Sequence, residues 1–234
     1  MKLLRDCLSE LNIKYNDETI ENFGKYYDLL ISWNERINLT TVTKKEDVII
    51  KHFIDSIMMI KYTDVSGRSI LDIGTGAGFP GIPIKIICPD CDMVLLDSLQ
   101  KRIGFLDKVI SELNLEDVQT VHGRAEDLAR SSDYRGSFDI VTSRAVANLS
   151  TLSEYCLPFV NIDGYFISYK GINIKEEISD SENAIKKLGG RTERIEEFTL
   201  PMSDNERSLI FIRKTSDTPE RFPRKAGTPL KKPL

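Results

Sequence analysis

The feature that most constrains this chain is a run of three glycines at alternate positions, Gly74, Gly76 and Gly78. An apolar segment precedes the run, and residues 79–81 lead from it into a second apolar segment. Glycine lets the backbone bend tightly and lets a ligand touch the main chain, because no Cβ stands in the way. A helix that begins there offers unpaired N–H groups to the same ligand. The pattern predicts a strand, a glycine loop and a helix around a nucleoside-like molecule.

The composition is typical of a globular protein that buries a full core, since 41% of the 234 residues are hydrophobic and 29% are charged. No apolar run is long enough to span a bilayer, and early charges argue against a secretory signal. Four scattered cysteines are typical of reduced thiols in the cytosol. We therefore expect a cytoplasmic protein without a membrane segment. Cys88 and Cys91 do not predict a metal site, because zinc needs four ligands at suitable spacing.

Charge is distributed unevenly along the chain. The net charge is −4, but residues 221–234 contain five basic side chains and no acid. An acidic body with a basic tail is a localised electrostatic signal, and such a tail is suited to contacts with phosphates. The tail is also rich in proline and lysine, which predicts an extended and mobile segment.

The first 65 residues show the spacing of apolar residues that is typical of helices. Asn16 is a predicted helix start, and Thr43 with Glu46 forms a predicted capping box for a later helix. Residues 33–40 between these helices are polar and poorly periodic. We therefore predict an N-terminal helical extension over residues 1–65.

From residue 69 onward, short apolar strands alternate with helical segments, which predicts a parallel sheet covered on both faces. The predicted strands are 69–73, 93–97, 118–122, 138–143, 164–170, 192–198 and 207–214, and the predicted helices are 82–87, 101–113, 125–130, 150–157 and 174–188. The last two strands have no helix between them, so they should form a hairpin at one edge. We divide the chain into the extension, a ligand-binding domain over residues 66–214 and a basic tail over residues 215–234.

Two cofactor classes fit this layout, dinucleotides and S-adenosylmethionine. Asp97 ends the second strand, where a carboxylate can accept both ribose hydroxyls of either cofactor. Residues 76–81 match the dinucleotide pattern G-x-G-x-x-G, but a count from Gly74 puts the bulky Phe79 in place of the third glycine. Asp72 would repel a pyrophosphate and attract the ammonium and sulfonium groups of S-adenosylmethionine. The sequence favours the methyl donor, with a dinucleotide as the alternative.

Residues 72–83 resemble the glycine loop of the small-subunit ribosomal RNA guanine-N7 methyltransferases, also called the glucose-inhibited division protein B family. Six other blocks resemble the same family in the same order, at residues 38–40, 51–56, 97–102, 122–126, 143–146 and 223–229. The resemblance implies a class I, Rossmann-like methyltransferase with a doubly wound, mostly parallel seven-stranded sheet. It also implies methyl transfer from S-adenosylmethionine to N7 of a guanine in the 530 loop of 16S ribosomal RNA.

The resemblance also implies a set of site residues. Those implied to bind the cofactor are Asp72, Gly74, Gly76, Gly78, Phe79, Asp97, Ala125, Glu126 and Arg144. Among them, Asp97 would hold the ribose, and Ala125 and Glu126 would border the adenine. The residues predicted to contact RNA are Lys51, His52, Lys170, Arg224, Lys225, Lys231 and Lys232. The implied partner is 16S ribosomal RNA, the small ribosomal subunit or an assembly intermediate, and we expect a monomer.

Arg144 is the predicted catalytic residue, because it follows the fourth strand, where an arginine can hydrogen-bond guanine O6 or a phosphate. Guanine N7 carries an in-plane lone pair and no proton, so its methylation needs positioning and no general base. The alternative for Arg144 is a structural salt bridge. Two other functions remain open at this point, a methyltransferase for another RNA or a small molecule, and a nucleotide-binding interaction module.

Overall fold

The computed structural model describes residues 1–144 and 147–234, which form a seven-stranded sheet with helices packed against it. The strands are β1 Ser69–Ile73, β2 Asp92–Asp97, β3 Val118–His122, β4 Phe138–Ser143, β5 Val160–Lys170, β6 Gly190–Thr199 and β7 Glu206–Lys214. The helices are α1 Lys2–Glu10, α2 Asp17–Ile37, α3 Lys45–Val48, α4 Asp55–Ile57, α5 Gly81–Ile87, α6 Gln100–Glu112, α7 Ala125–Leu128, α8 Leu149–Cys156, α9 Lys175–Lys187 and α10 Thr228–Lys231. A π-helical segment, Ile49–Ile54, joins α3 to α4. Ala145 and Val146, from one of the resembling blocks, lie outside the described residues.

The strand order is β3-β2-β1-β4-β5-β7-β6. All neighbours from β3 to β5 are parallel, whereas β7 pairs antiparallel with both β5 and β6. The predicted doubly wound sheet with an antiparallel edge hairpin is therefore confirmed. The chain runs outward from β1 to β3 and then returns to β4 on the other side of β1. Ligands of such sheets bind beyond the carboxyl ends of the strands at this reversal.

Two hydrophobic clusters cover the sheet. The first joins the N-terminal helices to β1, β2, α5 and α6, and it contains the fully buried Leu4, Tyr26, Phe53 and Phe105. The second lies around β4, β5 and α8. The N-terminal helices therefore share a core with the sheet. In the described ranges, no helix combines the length and the apolar character needed to cross a membrane.

The N-terminal helices differ in part from the sequence prediction. Asn16 caps α2 as predicted, because its side-chain oxygen accepts the backbone N–H of Thr19 at 2.8 Å. The predicted capping box at Thr43 is wrong, since α3 begins at Lys45 after Lys44 and has no side-chain cap. Residues 33–37, predicted as a connection, continue α2, because Trp33 packs against Phe105 from its half-buried face.

The tail also departs from its prediction, because it is ordered against the domain. Its Arg224 side chain binds Glu154 of α8, with Nη2 2.6 Å from Oε2. Thr151, also on α8, donates its hydroxyl to the carbonyl of Pro229 at 3.2 Å. A proline- and lysine-rich composition predicted mobility, but these long-range partners fix the segment, and the expectation of an extended, mobile tail is wrong.

Candidate active site

The glycine loop joins β1 to α5 in the conformation that its composition predicted. Gly74, Gly76 and Gly78 have φ values of 71°, 64° and 91°, a left-handed region that side chains with a Cβ rarely adopt. A Cβ at Gly78 would also lie 2.6 Å from Cγ1 of Ile82 and 2.8 Å from the hydroxyl oxygen of Tyr26. Glycine is therefore required there both by conformation and by space.

Tyr26 of α2 packs against the glycine loop. Its hydroxyl donates to the carbonyl of Ala77, and its ring packs 5.5 Å from that of Phe79, between ring centroids. Burial raises the pKa of Tyr26 well above its usual value, so the hydroxyl keeps its proton. The sequence analysis missed Tyr26, because it lies 51 residues before Ala77 and only the fold brings the two together.

Asp72 lies at the end of β1 and is fully buried. Its Oδ2 accepts the Thr75 hydroxyl at 2.6 Å and the Gly81 N–H at 2.9 Å, so the carboxylate closes the loop onto the start of α5. Its Oδ1 has no hydrogen-bond partner among the described residues. Burial raises the pKa of Asp72 to about 6, against the lowering effect of these hydrogen bonds.

Asp97 ends β2 and is also buried, at 2% exposure. Its Oδ2 accepts the backbone N–H of Gly76 at 2.9 Å, and its Oδ1 accepts that of Leu99 at the same distance. Arg102 reaches Oδ2 at 3.1 Å. Asp97 therefore joins the glycine loop to the start of α6.

A cavity of about 360 Å³ lies beyond the carboxyl ends of β1, β2 and β3. Residues that line it include Gly74, Asp97, Ala125, Glu126, Ser143, Ala147, Leu152, Tyr155, Gly227 and Leu230. The structure thus brings together four of the residues implied to bind the cofactor. Gly227 and Leu230 belong to the tail, and the sequence analysis did not place them here.

Arg144, directly after β4, is the centre of a second group of residues. Its Nη1 donates to Asp55 Oδ2 and to the Lys51 carbonyl, each at 3.0 Å. Its guanidinium carbon lies 5.1 Å from the ring centroid of Phe79. We call the set His52, Asp55, Phe79 and Arg144 the arginine cluster. Asp55 is only 4% exposed and also contacts Arg207, whose Nε lies 3.5 Å from Oδ1.

His52 stacks on Phe79, with ring centroids 4.6 Å apart and planes at 20°. Burial, assisted by the charge of Arg144, lowers the pKa of His52 to about 4, so the imidazole is neutral near pH 7. His52 Nδ1 lies 3.2 Å from Arg144 Nη2 and 3.1 Å from the Lys51 carbonyl oxygen, and Nε2 lies 2.8 Å from the Thr40 hydroxyl oxygen. Residues 38–40 and 51–56, two of the resembling blocks, thus meet at Arg144.

The residues predicted to contact RNA are not all equally free to do so. Lys170 is 12% exposed, and its ammonium donates to the Ala147 carbonyl at 2.6 Å and to Glu177 at 2.7 Å. Lys51 pairs with Asp47 at 2.7 Å, and Arg224 pairs with Glu154. Lys225, Lys231 and Lys232 are exposed on the tail. All these RNA contacts stay predictions, and the exposed lysines are the best placed.

Asp72 and His52 have opposite effects on the pH dependence of stability. The pKa of Asp72 is raised from 3.8, so its contribution to stability is lost as pH rises toward 6. The pKa of His52 is lowered from 6.5, so its contribution is lost as pH falls toward 4. Between pH 4 and 6 the two slopes oppose each other.

We expect Asp72→Asn to remove the pH dependence of stability that Asp72 contributes. From pH 4 to 6, the free energy of unfolding of this variant should rise relative to that of the wild type by up to about 3 kcal/mol, since about two pKa units are removed. Urea unfolding at pH 4, 5 and 6 without cofactor measures the difference. Asp28→Asn, an exposed carboxylate on α2, is the control. Parallel pH profiles for Asp72→Asn and the wild type would contradict the assignment.

Comparison with solved structures identifies the class of this fold. Solved structures that share the fold include the fibrillarin pre-rRNA processing protein of Methanococcus jannaschii, with a TM-score of 0.52, 13% identity and coverage of 66% of this chain and 70% of that one. Another is M. jannaschii TYW2 in complex with AdoMet, with a TM-score of 0.53, 13% identity and coverage of 68% and 76%. The fold with its glycine loop is that of the Rossmann-like methyltransferases.

The family follows from the sequence matches. The family model described as rRNA small subunit methyltransferase G matches residues 19–210. The protein of that name from Lachnoclostridium phytofermentans is 51% identical over 228 residues, with coverage of 97% of this chain and 94% of that protein. The one from Desulfitobacterium hafniense is 50% identical over 224 residues, with coverage of 96% and 93%. The chain belongs to the rRNA small subunit methyltransferase G family and is a methyltransferase.

The cofactor that this family and fold imply is S-adenosylmethionine, and the residues present fit it. The cofactor is cationic at its methionine end, and Asp72 carries a buried oxygen without a partner among the described residues. Asp97 stands where a carboxylate can accept ribose hydroxyls. Ala125 and Glu126 line the same cavity as Asp97. A pyrophosphate fits less well, because Asp72, Asp97 and Glu126 would repel it.

Proposed function

We propose that this methyltransferase transfers the methyl group of S-adenosylmethionine to N7 of a guanine in the 530 loop of 16S ribosomal RNA. The substrate is free 16S ribosomal RNA, the small subunit or an assembly intermediate. The enzyme acts in the cytoplasm as a monomer. Family membership supports the small-subunit RNA as the target. The observation that supports the guanine is the position of Arg144 in a second cavity, which shares Ala147 with the cofactor cavity.

The second cavity adjoins the cofactor cavity. Its volume is about 550 Å³, and its lining residues include Asp55, Arg144, Ala147, Lys170, Glu177 and Arg207. Ala147 lines both cavities. Ser143 lines the cofactor cavity, and Arg144 lines the second one. A base that enters the second cavity would therefore approach the cofactor at Ala147. Arg207 and Asp55 were missed as site residues, because their meeting depends on the pairing of β7 with β5.

The proposed chemistry requires positioning only. The bound cofactor supplies an activated methyl group, and the nucleophile must be held close to it with the leaving sulfur opposite. The guanidinium of Arg144 offers a planar fork of N–H donors, suited to guanine O6 or to a phosphate. The Asp55 carboxylate and the His52 ring fix the direction of this fork. Neutral His52 avoids a second positive charge beside Arg144.

The test of this function is methyl transfer with defined RNA. The purified protein should incorporate label from methyl-labelled S-adenosylmethionine into unmodified 16S ribosomal RNA or small subunits. Reduction and aniline cleavage should map 7-methylguanosine to the 530 loop. Label at another position, or in another base atom, would overturn the proposed target while leaving the cofactor assignment intact.

The exposed tail lysines should carry part of the RNA affinity. Replacing Lys225, Lys231 and Lys232 together by serine should weaken RNA binding and reduce the slope of log affinity against log salt by about 2, since each phosphate contact contributes about 0.7. Filter binding at 50–200 mM salt measures this slope. Lys2, Lys186 and Lys187, also exposed, give a control with the same change in charge. If both triple variants have the wild-type slope, the tail does not bind phosphates.

A further inference from the structure

The C-terminal segment forms one wall of the cofactor cavity. Gly227 and Leu230 line this cavity on the side where Ala125 and Glu126 lie. The backbone N–H of Gly227 donates to Glu126 Oε1 at 3.0 Å. Gly227 has a φ of 78°, a conformation that glycine adopts without strain, and α10 begins directly after it. The segment thus turns at the edge of the cavity and presents Leu230 to it.

The anchor of this wall is a buried ion pair. Glu154 of α8 is fully buried, and its carboxylate accepts the Arg224 Nε–H at 2.9 Å and the Arg224 backbone N–H at 2.8 Å. Arg130 Nη2 donates to the Pro223 carbonyl at 2.6 Å. Such paired and hydrogen-bonded charges hold one geometry, because removal of either partner leaves a buried charge unpaired. The wall is therefore preformed and does not depend on RNA.

Leu230 is the part of the wall that remains uncovered. It is 64% exposed, more than any other exposed large hydrophobic residue in the described part of the chain. Two other apolar residues of the tail, Pro229 and Phe222, are buried. An exposed apolar side chain at the rim of a nucleoside-sized cavity gains when a flat apolar ring covers it.

We propose that the C-terminal segment forms the adenosyl side of the cofactor site, with Leu230 packing on the adenine ring and the Glu126–Gly227 hydrogen bond setting its position. The proposal rests on S-adenosylmethionine as the ligand of this cavity. It assigns the tail a role in cofactor binding in addition to its predicted contacts with RNA. Leu230 then contributes to the affinity for the adenosyl group, and the exposed lysines contribute to the affinity for RNA.

Calorimetric titration of the full-length protein tests this assignment. Leu230→Ser should weaken binding of S-adenosylhomocysteine about tenfold, as the loss of one side chain's apolar contact implies. Adenosine should lose a similar factor. Met202→Ser, at an exposed hydrophobic residue outside this cavity, should bind both within about twofold of the wild type. Because Leu230 is exposed, the melting temperature without ligand should not change, while the shift produced by S-adenosylhomocysteine should shrink.

The outcomes separate the two proposals. Wild-type affinity of Leu230→Ser for both ligands would overturn the assignment of the tail. A wild-type protein that binds neither S-adenosylhomocysteine nor S-adenosylmethionine would overturn the cofactor instead. Loss of S-adenosylhomocysteine binding with unchanged adenosine binding would place Leu230 at the other end of the ligand, and would also overturn the assignment.

Discussion

Replacing Arg144 by lysine will reduce the rate of methyl transfer to unmodified 16S ribosomal RNA by at least about 100-fold. Lysine keeps a positive charge opposite Asp55, but it offers a point charge in place of a planar fork of donors. A small misplacement of a reacting group costs rates of this order. Single-turnover transfer with saturating cofactor measures the effect on the step that Arg144 is proposed to assist.

Lysine is the informative replacement because Asp55 is almost fully buried. Removal of the positive charge, as in Arg144→Ala, breaks a buried ion pair and costs about 3–5 kcal/mol of stability. A loss of activity in that variant would not distinguish catalysis from folding. Arg194→Lys is the matched control, since Arg194 packs over Phe211 and donates to the Tyr62 carbonyl, both away from the two cavities. If Arg144→Lys retains activity within a few-fold and wild-type RNA affinity, Arg144 is only a salt-bridge partner.

Replacing Asp97 by alanine will weaken the binding of S-adenosylmethionine by at least about 100-fold. The carboxylate is predicted to accept two ribose hydroxyls, and hydrogen bonds to a charged group contribute about 1.5–3 kcal/mol each. Asp97 also orients the N–H groups of Gly76 and Leu99. Both losses reduce affinity, and titration calorimetry with the cofactor measures their sum.

Asp97→Asn separates the two contributions. The amide keeps one oxygen for the loop but loses the negative charge, so its affinity should lie between those of the wild type and Asp97→Ala. Asp107→Ala, an exposed carboxylate on α6 bonded to Thr120, should bind the cofactor as the wild type does. An Asp97→Ala protein with affinity within about threefold of the wild type would remove Asp97 from the cofactor site.

The sheet was predictable because local pattern determines it. Strands β1, β3 and β4 begin and end where predicted, and β2, β6 and β7 differ from their predictions by one or two residues at an end. Strand β5 begins four residues earlier than predicted, at Val160. Its first part contains the half-exposed and exposed residues 161–163, and the register with β4 shifts between Phe138 and Ile140. The Asp163-Gly164 pair is typical of a turn, so sequence analysis places the start of the strand after it.

The errors share a different cause, which is dependence on distant partners. Thr43 and Glu46 have the spacing of a capping box, but the Thr43 carbonyl accepts the Tyr27 hydroxyl at 3.2 Å and α3 begins one residue later than that pattern requires. The tail is ordered by Glu154 and Glu126, which precede it by 70 and 101 residues. The carboxylate of Asp55 is buried against Arg144, which follows it by 89 residues. No local pattern encodes such pairings.

The attachment of the glycine loop to α2 through Tyr26 has a consequence for protein engineering. Exchanging the N-terminal helices between relatives would also replace the hydroxyl that binds Ala77 and the ring that packs beside Phe79. A chimera with a mismatched tyrosine region would therefore lose contacts that support the glycine loop. Grafts of this kind should keep residues 23–30 from the recipient.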